Sequence, residues 1–285
     1  MDRRIIELYD EFTHAPLDRR LFLERLASLA GSMSAALALV PLLQANTAAA
    51  AQIAEDDERL HCRSVTLGSD PKGLRGYLAA PGRGKKWPAV LVIHENRGLN
   101  PHIQDVTRRL GIAGYLALAP DFLSGVGGTP SDADLARDLI GKLNPDQVLN
   151  DAITAAAWLR DSKESTGKVG AVGFCWGGGL IGRLATADPK LNAAVVFYGR
   201  TPPLGDVPKI AAPLLLHYAG LDSRIDADVP AFRKALDDSG KHYELYMYEN
   251  VDHAFHNDTS AARYNAAAAR LAWQRTLDFL AHNLQ

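Results

Sequence analysis

The chain has 285 residues, with 31 Lys or Arg against 33 Asp or Glu, and its only cysteines are Cys62 and Cys175. This near balance of charge, without a basic stripe, argues against nucleic acid as a partner. Two cysteines make neither a Cys-x-x-Cys metal site nor a disulfide framework, and we expect no metal and no cofactor. The length suits one α/β domain with an additional segment.

Residues 1–51 differ in pattern from the rest of the chain. Arg19 and Arg20 precede a modest apolar stretch at 29–43, and an Ala-rich tract ends at Ala51. This order of regions resembles a twin-arginine export signal, which predicts a periplasmic protein that is cleaved after the tract.

A cytoplasmic protein that retains these residues as helices is the alternative to export. The apolar face of such helices would have to dock on another surface, for which we consider a second subunit and hence a homodimer. Gly31, Ser32 and Ser34 interrupt the apolar stretch, so we expect no stable membrane span.

Beyond residue 52, strand-like and helix-like stretches alternate, which predicts βαβ units and a mostly parallel sheet. Strands are predicted at 64–67, 75–80, 88–94, 115–119, 169–173, 193–198, 213–218 and 243–248. Helices are predicted at 100–113, 131–143, 146–160, 179–187, 229–238 and 261–283. A turn is predicted at 68–73.

The segment GFCWGG at 173–178 is the most informative motif. It lies between a strand-like run and a small-residue helix, which is the context of a nucleophile elbow with Cys175 in place of the usual serine. A thiol at an elbow indicates acyl transfer through a thioester. A packing cysteine in a Gly-rich turn can produce the same local pattern.

Two further residues follow Cys175 in the chain order of an α/β-hydrolase triad. Asp222 and His253 each lie just beyond a strand-like run, where catalytic groups of open α/β sheets gather. We predict that His253 takes the thiol proton and that Asp222 orients its imidazole. His217 is expected to be packed within its strand, and His256 cannot share the loop position of His253.

The oxyanion hole should consist of two backbone N–H groups. One belongs to Trp176, which follows the nucleophile, and the other to Asn96, in the loop after the strand predicted at 88–94.

Five segments together resemble the dienelactone hydrolase (carboxymethylenebutenolidase) family over residues 63–284. They are HENRG (94–98), APD (119–121), GFCWGG (173–178), AGLD (219–222) and YENVDHAF (248–255). The resemblance implies an α/β-hydrolase fold for residues 52–285, after an N-terminal segment at 1–51. It also implies a triad of Cys175, Asp222 and His253 that hydrolyses a carboxylic ester or lactone.

The resemblance assigns further roles around the nucleophile. Glu95 matches a family glutamate that contacts the resting thiol and helps to form the thiolate. Asn257 stands where well-known members have an arginine for the substrate carboxylate, which argues against dienelactone itself as the substrate. Arg137 and Arg97 are the other candidates for substrate binding.

Two other functions are compatible with this sequence. Cys175 could be a redox-sensing thiol on a non-catalytic hydrolase scaffold, because fold does not fix function. An acyltransferase or peptidase on the same scaffold is the third possibility. The ordered triad and Glu95 favour hydrolysis of a small ester or lactone.

Overall fold

An eight-stranded sheet forms the centre of the protein, and this computed structural model describes residues 1–14, 17–44, 51–68 and 73–285. The strands are β1 (Leu60–Thr66), β2 (Arg75–Pro81), β3 (Trp87–Ile93), β4 (Leu116–Asp121), β5 (Ser165–Phe174), β6 (Ala193–Phe197), β7 (Leu214–Ala219) and β8 (Tyr243–Tyr248). Their spatial order is β1-β2-β4-β3-β5-β6-β7-β8. Only the β1–β2 and β2–β4 pairings are antiparallel, which confirms the mostly parallel sheet.

Helices cover both faces of this sheet. The α-helices of the described residues are α1 (Arg3–His14), α2 (Arg19–Ala30), α3 (Met33–Leu43), α4 (Pro101–Ile112), α5 (Ala133–Ile140), α6 (Pro145–Asp161), α7 (Trp176–Ala187), α8 (Ser223–Asp226), α9 (Val229–Asp238) and α10 (Ala266–Leu284). On one face, α6 and α7 pack against β3, whose Leu91 and Ile93 share an apolar cluster with Phe232 and Leu236 of α9. On the other face, α4 packs against β3 and α10 packs against β5, β6 and β7. Val90 and Val92 belong to the apolar cluster of this face, because successive strand residues point to opposite faces.

Local capping explains where helices begin. The Asn100 side chain accepts a hydrogen bond from the Ile103 N–H, and Pro101 opens α4, as the sequence predicts. The helix predicted from residue 261 begins instead at Ala266, because the Asn265 side chain caps it through the Ala268 N–H. The helix predicted from residue 179 begins three residues earlier, directly after Cys175.

The N-terminal helices α1, α2 and α3 build a third apolar cluster, which has Phe12 stacked on Phe22 with ring centroids 4.3 Å apart. Gly31 ends α2 in the left-handed region, with φ 85°, and Ser32 then caps α3. The cluster reaches Ala262 of the same chain. This packing gives no support to the predicted docking on a second subunit.

Within the described ranges, no single helix is long and apolar enough to cross a membrane. Together, α2 and α3 have the length and apolar composition of a membrane span, but a bend of 109° separates the two helices. Residues 45–50, which hold most of the Ala-rich tract, and residues 69–72 of the predicted turn lie outside the described residues.

Candidate active site

Cys175 occupies a strained turn between β5 and α7. Its backbone has φ 55° and ψ −115°, a conformation that costs a non-glycine residue of order 1–3 kcal/mol. The chain is tightly packed around it: a Cβ at Gly173 would lie 2.3 Å from the Gly177 carbonyl oxygen, and one at Gly177 would lie 2.4 Å from that of Ile93. Both positions therefore require glycine.

The parallel sheet brings the predicted triad to one edge. Cys175 follows β5, Asp222 follows β7 and His253 lies in the turn after β8. Glu95 follows β3, the strand that pairs with β5. Because parallel strands end at the same edge, positions far apart in the chain meet here.

Asp222 and His253 form a buried pair. His253 Nδ1 lies 2.5 Å from Asp222 Oδ2, and the two side chains are only 4% and 1% exposed. Because a carboxylate only accepts, Nδ1 carries the proton and Nε2 of the neutral ring is a free acceptor. Among the described residues this Nε2 has no hydrogen-bond partner.

A second histidine contacts the nucleophile, and it comes from the N-terminal helix. His14, the last residue of α1, has its Nε2 3.1 Å from Cys175 Sγ. Its Nδ1 lies 2.9 Å from the Asp10 carbonyl oxygen and 3.1 Å from Asp10 Oδ1. The rings of His14 and His253 meet edge to face, with centroids 4.5 Å apart. Cys175 thus lies beside two imidazoles, each of which has a carboxylate behind it.

Electrostatics at this second pair favour a charged imidazole. Burial lowers the pKa of His14, but the Cys175 sulfur and the Asp10 carboxylate favour the cation, and the pKa is raised overall. Burial likewise raises the pKa of Asp10, yet His253, His14 and Arg263 outweigh it and hold the pKa well below its usual range.

Glu95 has other hydrogen-bond partners in this structure. Its Oε2 accepts from Asn257 Nδ2 at 2.7 Å, and its Oε1 accepts from the Tyr198 hydroxyl at 3.3 Å. Burial, followed by the charges of Glu95 and Cys175, raises the pKa of Tyr198 well above its ordinary value. Among the described residues, the Cys175 thiol is hydrogen-bonded to His14.

Two cavities meet at the nucleophile. A cavity of about 800 Å³ and another of about 590 Å³ both reach Cys175 and His253. Thr13 and His14 line both of them, so the end of α1 stands between the two. The two cavities therefore share both the nucleophile and this helix end.

The predicted substrate-binding residues are divided between these cavities. Arg137 lines the larger cavity, where it stacks over the Phe12 ring at 4.4 Å and donates to the Phe12 carbonyl. Arg97 and Asn257 line the smaller one. Arg97 is paired with Asp134 at 2.8 Å, and Asn257 is buried against Glu95.

One predicted oxyanion donor, Trp176, follows Cys175 in the chain, and the other, Asn96, lines the same two cavities as Cys175. Trp176 is the first residue of α7, so its backbone N–H has no acceptor within the helix. Asn96 lines both cavities, and its side-chain amide donates to the Thr13 carbonyl at 2.7 Å, which ties the loop after β3 to α1.

His217 and His256, the other two histidines near the predicted triad in sequence, are buried in the core. His217 bonds to the Tyr248 hydroxyl at 3.0 Å and to Thr276 Oγ1 at 3.2 Å, which confirms its packing within β7. Burial lowers the pKa of His217 to about 3. His256 stacks on Phe174, and burial lowers its pKa as well. Both rings are therefore neutral at physiological pH.

One cluster at the site has the donor chemistry of a metal centre. The ligand atoms of His14, Cys175 and His253 lie within 4.8 Å of one another. Such donors can bind zinc, but His14 Nε2 and Cys175 Sγ are hydrogen-bonded at 3.1 Å, which is the contact of an acid–base pair, and we assign no metal to them.

Sequence reasoning missed His14. The residue ends an amphipathic helix, and its spacing of four from Asp10 predicts only a shared helix face. No local signal indicates that this face is directed at a nucleophile 161 positions away.

Comparisons with known proteins show which family this chain matches. The model of the "Dienelactone hydrolase family" matches residues 74–284. Proteins named "Putative carboxymethylenebutenolidase" from Yersinia pestis and Saccharolobus solfataricus are 34% and 35% identical, over 77% and 76% of this chain and 88% and 97% of their own. The crystal structure of a "Putative Dienelactone Hydrolase" from Klebsiella pneumoniae superposes with a TM-score of 0.70 at 30% identity. It covers 78% of this chain and 98% of its own.

Proposed function

The chain belongs to the dienelactone hydrolase family of α/β-hydrolases, and on that premise we propose that it hydrolyses a small carboxylic ester or lactone through a thioester on Cys175. The observation that carries this proposal is the convergence of Cys175 with the Asp222–His253 pair at one sheet edge. The strained backbone of Cys175 and the open cavities beside it support the same role.

The proposed chemistry has two stages. Cys175 Sγ, as its thiolate, attacks the ester carbonyl carbon, and the backbone N–H groups of Trp176 and Asn96 stabilise the oxyanion. The C–O bond breaks, the leaving oxygen takes a proton from an imidazolium, and the acyl group stays on sulfur. His253 Nε2 then removes a proton from water, which attacks the thioester and releases the acid.

The lining of the larger cavity indicates the class of substrate. Its basic side chains outnumber its acidic ones. Arg137, Arg183 and Arg224 are ion-paired with carboxylates, and Lys142 and Arg200 have no ion pair among the described residues. A positive lining favours a substrate that carries a negative charge away from the scissile bond. We therefore include esters and lactones with a free carboxylate among the proposed substrates, bound by residues other than Asn257.

Hydrolysis of a panel of p-nitrophenyl esters and lactones tests this function. The wild type should turn over at least one of them and accumulate an acyl adduct, which mass spectrometry of the quenched enzyme places on Cys175. Cys175→Ala should abolish both signals, whereas Cys62→Ala, the matched cysteine control, should retain them. Rapid alkylation of Cys175 without turnover of any substrate would favour a sensing thiol instead.

Export by a twin-arginine signal remains a separate proposal, which rests on Arg19, Arg20 and the regions that follow them. The first residue of the protein purified from a periplasmic extract tests it. A start near Ala51 would support export and would remove His14 from the mature enzyme. An intact Met1 in that extract would overturn it.

A further inference from the structure

We propose that His14, the last residue of α1, is the proton acceptor of the Cys175 thiol in the resting enzyme. This assignment rests on the proposed function only in treating Cys175 as a nucleophile. It makes the N-terminal segment part of the active site, and it leaves His253 free for the water step.

The tautomer of His14 supports this assignment. Its Nδ1 lies 2.9 Å from both the Asp10 carbonyl oxygen and Thr13 Oγ1. The carbonyl can only accept, and the Thr13 hydroxyl donates to that same carbonyl at 3.0 Å, so the ring proton of the neutral form lies on Nδ1. His14 Nε2 then carries a lone pair and lies 3.1 Å from Sγ, where it can accept a hydrogen bond from the S–H group. His253 Nε2 likewise carries a lone pair, but among the described residues it has no hydrogen bond to Sγ.

The surroundings of His14 stabilise the ion pair that results. The charged or titratable groups around it are Asp10 on its own helix, Cys175 at the elbow and His253 after β8. Arg224 and Arg263 lie on the far side of Asp10, at 3.4 Å and 3.6 Å from its carboxylate oxygens. Asp10 thus links α1 to the α/β domain and orients His14, and it is a positioning residue.

Docking of α1 fixes this geometry. Phe12 is 1% exposed and lies under the Arg137 guanidinium, while the Thr13 carbonyl accepts from Asn96 Nδ2. Three consecutive residues, 12–14, therefore hold the helix end by an apolar contact, a backbone hydrogen bond and the thiol itself.

The division of roles between His14 and His253 accounts for each proton in the reaction. The thiol proton moves from Sγ to His14 Nε2, which gives a thiolate–imidazolium pair. After Sγ attacks and the C–O bond breaks, His14 returns this proton to the leaving alkoxide, and an alcohol departs. His253 takes the next proton from the attacking water, and this proton returns to sulfur when the thioester C–S bond breaks.

The pH dependence of Cys175 alkylation by iodoacetamide tests the assignment, because it requires no substrate turnover. Mass spectrometry of the Cys175 peptide gives the rate at each pH. In His14→Gln we expect alkylation to be roughly tenfold slower at neutral pH, because the thiolate loses its imidazolium partner. His282→Gln, an exposed histidine of α10, is the matched control and should follow the wild type.

An unchanged alkylation profile in a folded His14→Gln protein, as judged by circular dichroism, would overturn the proposal. A measurement on the wild type covers the case in which that variant does not fold. Nitrogen NMR of the histidine rings should show that His14 titrates at lower pH once Cys175 is alkylated, because the thiolate is gone. Unchanged titration of His14 would contradict the ion pair. Absence of turnover on every ester would refute the proposed hydrolysis and leave both of these results interpretable.

Discussion

The two carboxylate–histidine pairs beside Cys175 come from regions of different construction. Asp222 and His253 follow β7 and β8, and the sheet that positions them is continuous with the core. Asp10 and His14 lie on α1, which the family model at 74–284 does not include. The first pair is positioned by the architecture of the family, whereas the second depends on how one short helix docks.

This difference predicts that the two pairs fail in different ways. Disruption of the Asp222–His253 pair should lower ester turnover without displacing a helix or a strand. Disruption of the Asp10–His14 pair should lower the thiolate fraction of Cys175. Disruption of the docking of α1 should have the same effect, although it changes no residue in contact with the thiol. The predictions below test this separation.

Asp222→Asn should produce the largest effect. An amide in place of the carboxylate can leave His253 in the wrong tautomer, and a comparable change in a serine protease triad lowers kcat about 10⁴-fold. We expect a loss of roughly 10³–10⁴-fold in ester turnover, while the alkylation rate of Cys175 changes little. Asp228→Asn, an exposed aspartate before α9, is the control. Equal losses in turnover and alkylation would show that the two pairs act as one unit.

Phe12→Ala tests the docking of α1. A buried Phe→Ala change typically costs about 3–5 kcal/mol, and here the loss falls on the N-terminal cluster and its contact with Arg137. We expect the alkylation profile of Cys175 to move toward that of His14→Gln, although the mutated residue does not touch sulfur. Glu11→Gln, an exposed neighbour on the same helix, should behave as the wild type. A wild-type profile in Phe12→Ala would show that His14 is held without this contact.

The sequence predicted much of the part of the site that follows β5, β7 and β8. The boundaries of β8 and α9 agree with the prediction, and the Asn100 cap lies where expected, because period and capping are local signals. The order of nucleophile, acid and base fixed the candidate triad, since the family sheet places the ends of these strands together.

The remainder was not accessible from local pattern. The start of α10 depended on which of several polar residues would act as the cap, and Asn265 took that place. The hydrogen bonds of Glu95 to Tyr198 and Asn257 join side chains 103 and 162 positions apart. His14 belongs to the same class, because docking of a helix is a tertiary event with no signature in its own periodicity.

Gly177→Ala tests the rigidity of the part of the site that follows β5, β7 and β8. The added Cβ would lie 2.4 Å from the Ile93 carbonyl oxygen and 2.5 Å from that of His94, both of which are backbone atoms. We expect a loss of about 1–3 kcal/mol in the free energy of unfolding, measured by urea denaturation. Gly205→Ala is the matched control, because a Cβ there meets nothing within 4 Å. Equal stability of the two variants would mean that the elbow can relax.

The smallest expected effect is the acid sensitivity of α1 docking. The pKa of Asp10 is depressed in the folded state, because His253, His14 and Arg263 together outweigh the effect of burial, which raises it. A depressed carboxyl pKa contributes stability that is present above the unfolded value of about 4 and is lost as the pH falls below it. Asp10→Asn should therefore flatten the decline in the urea midpoint of the N-terminal helices between about pH 5 and pH 3.

Far-ultraviolet circular dichroism reports this transition, since α1, α2 and α3 are helical. Glu11→Gln removes a carboxylate from the same helix, but that carboxylate is about half exposed in its pair with Arg25, so the decline should persist. If Asp10→Asn and the wild type decline in parallel, the Asp10 carboxylate does not link α1 to the α/β domain. The two pairs would then differ in origin but not in their dependence on docking.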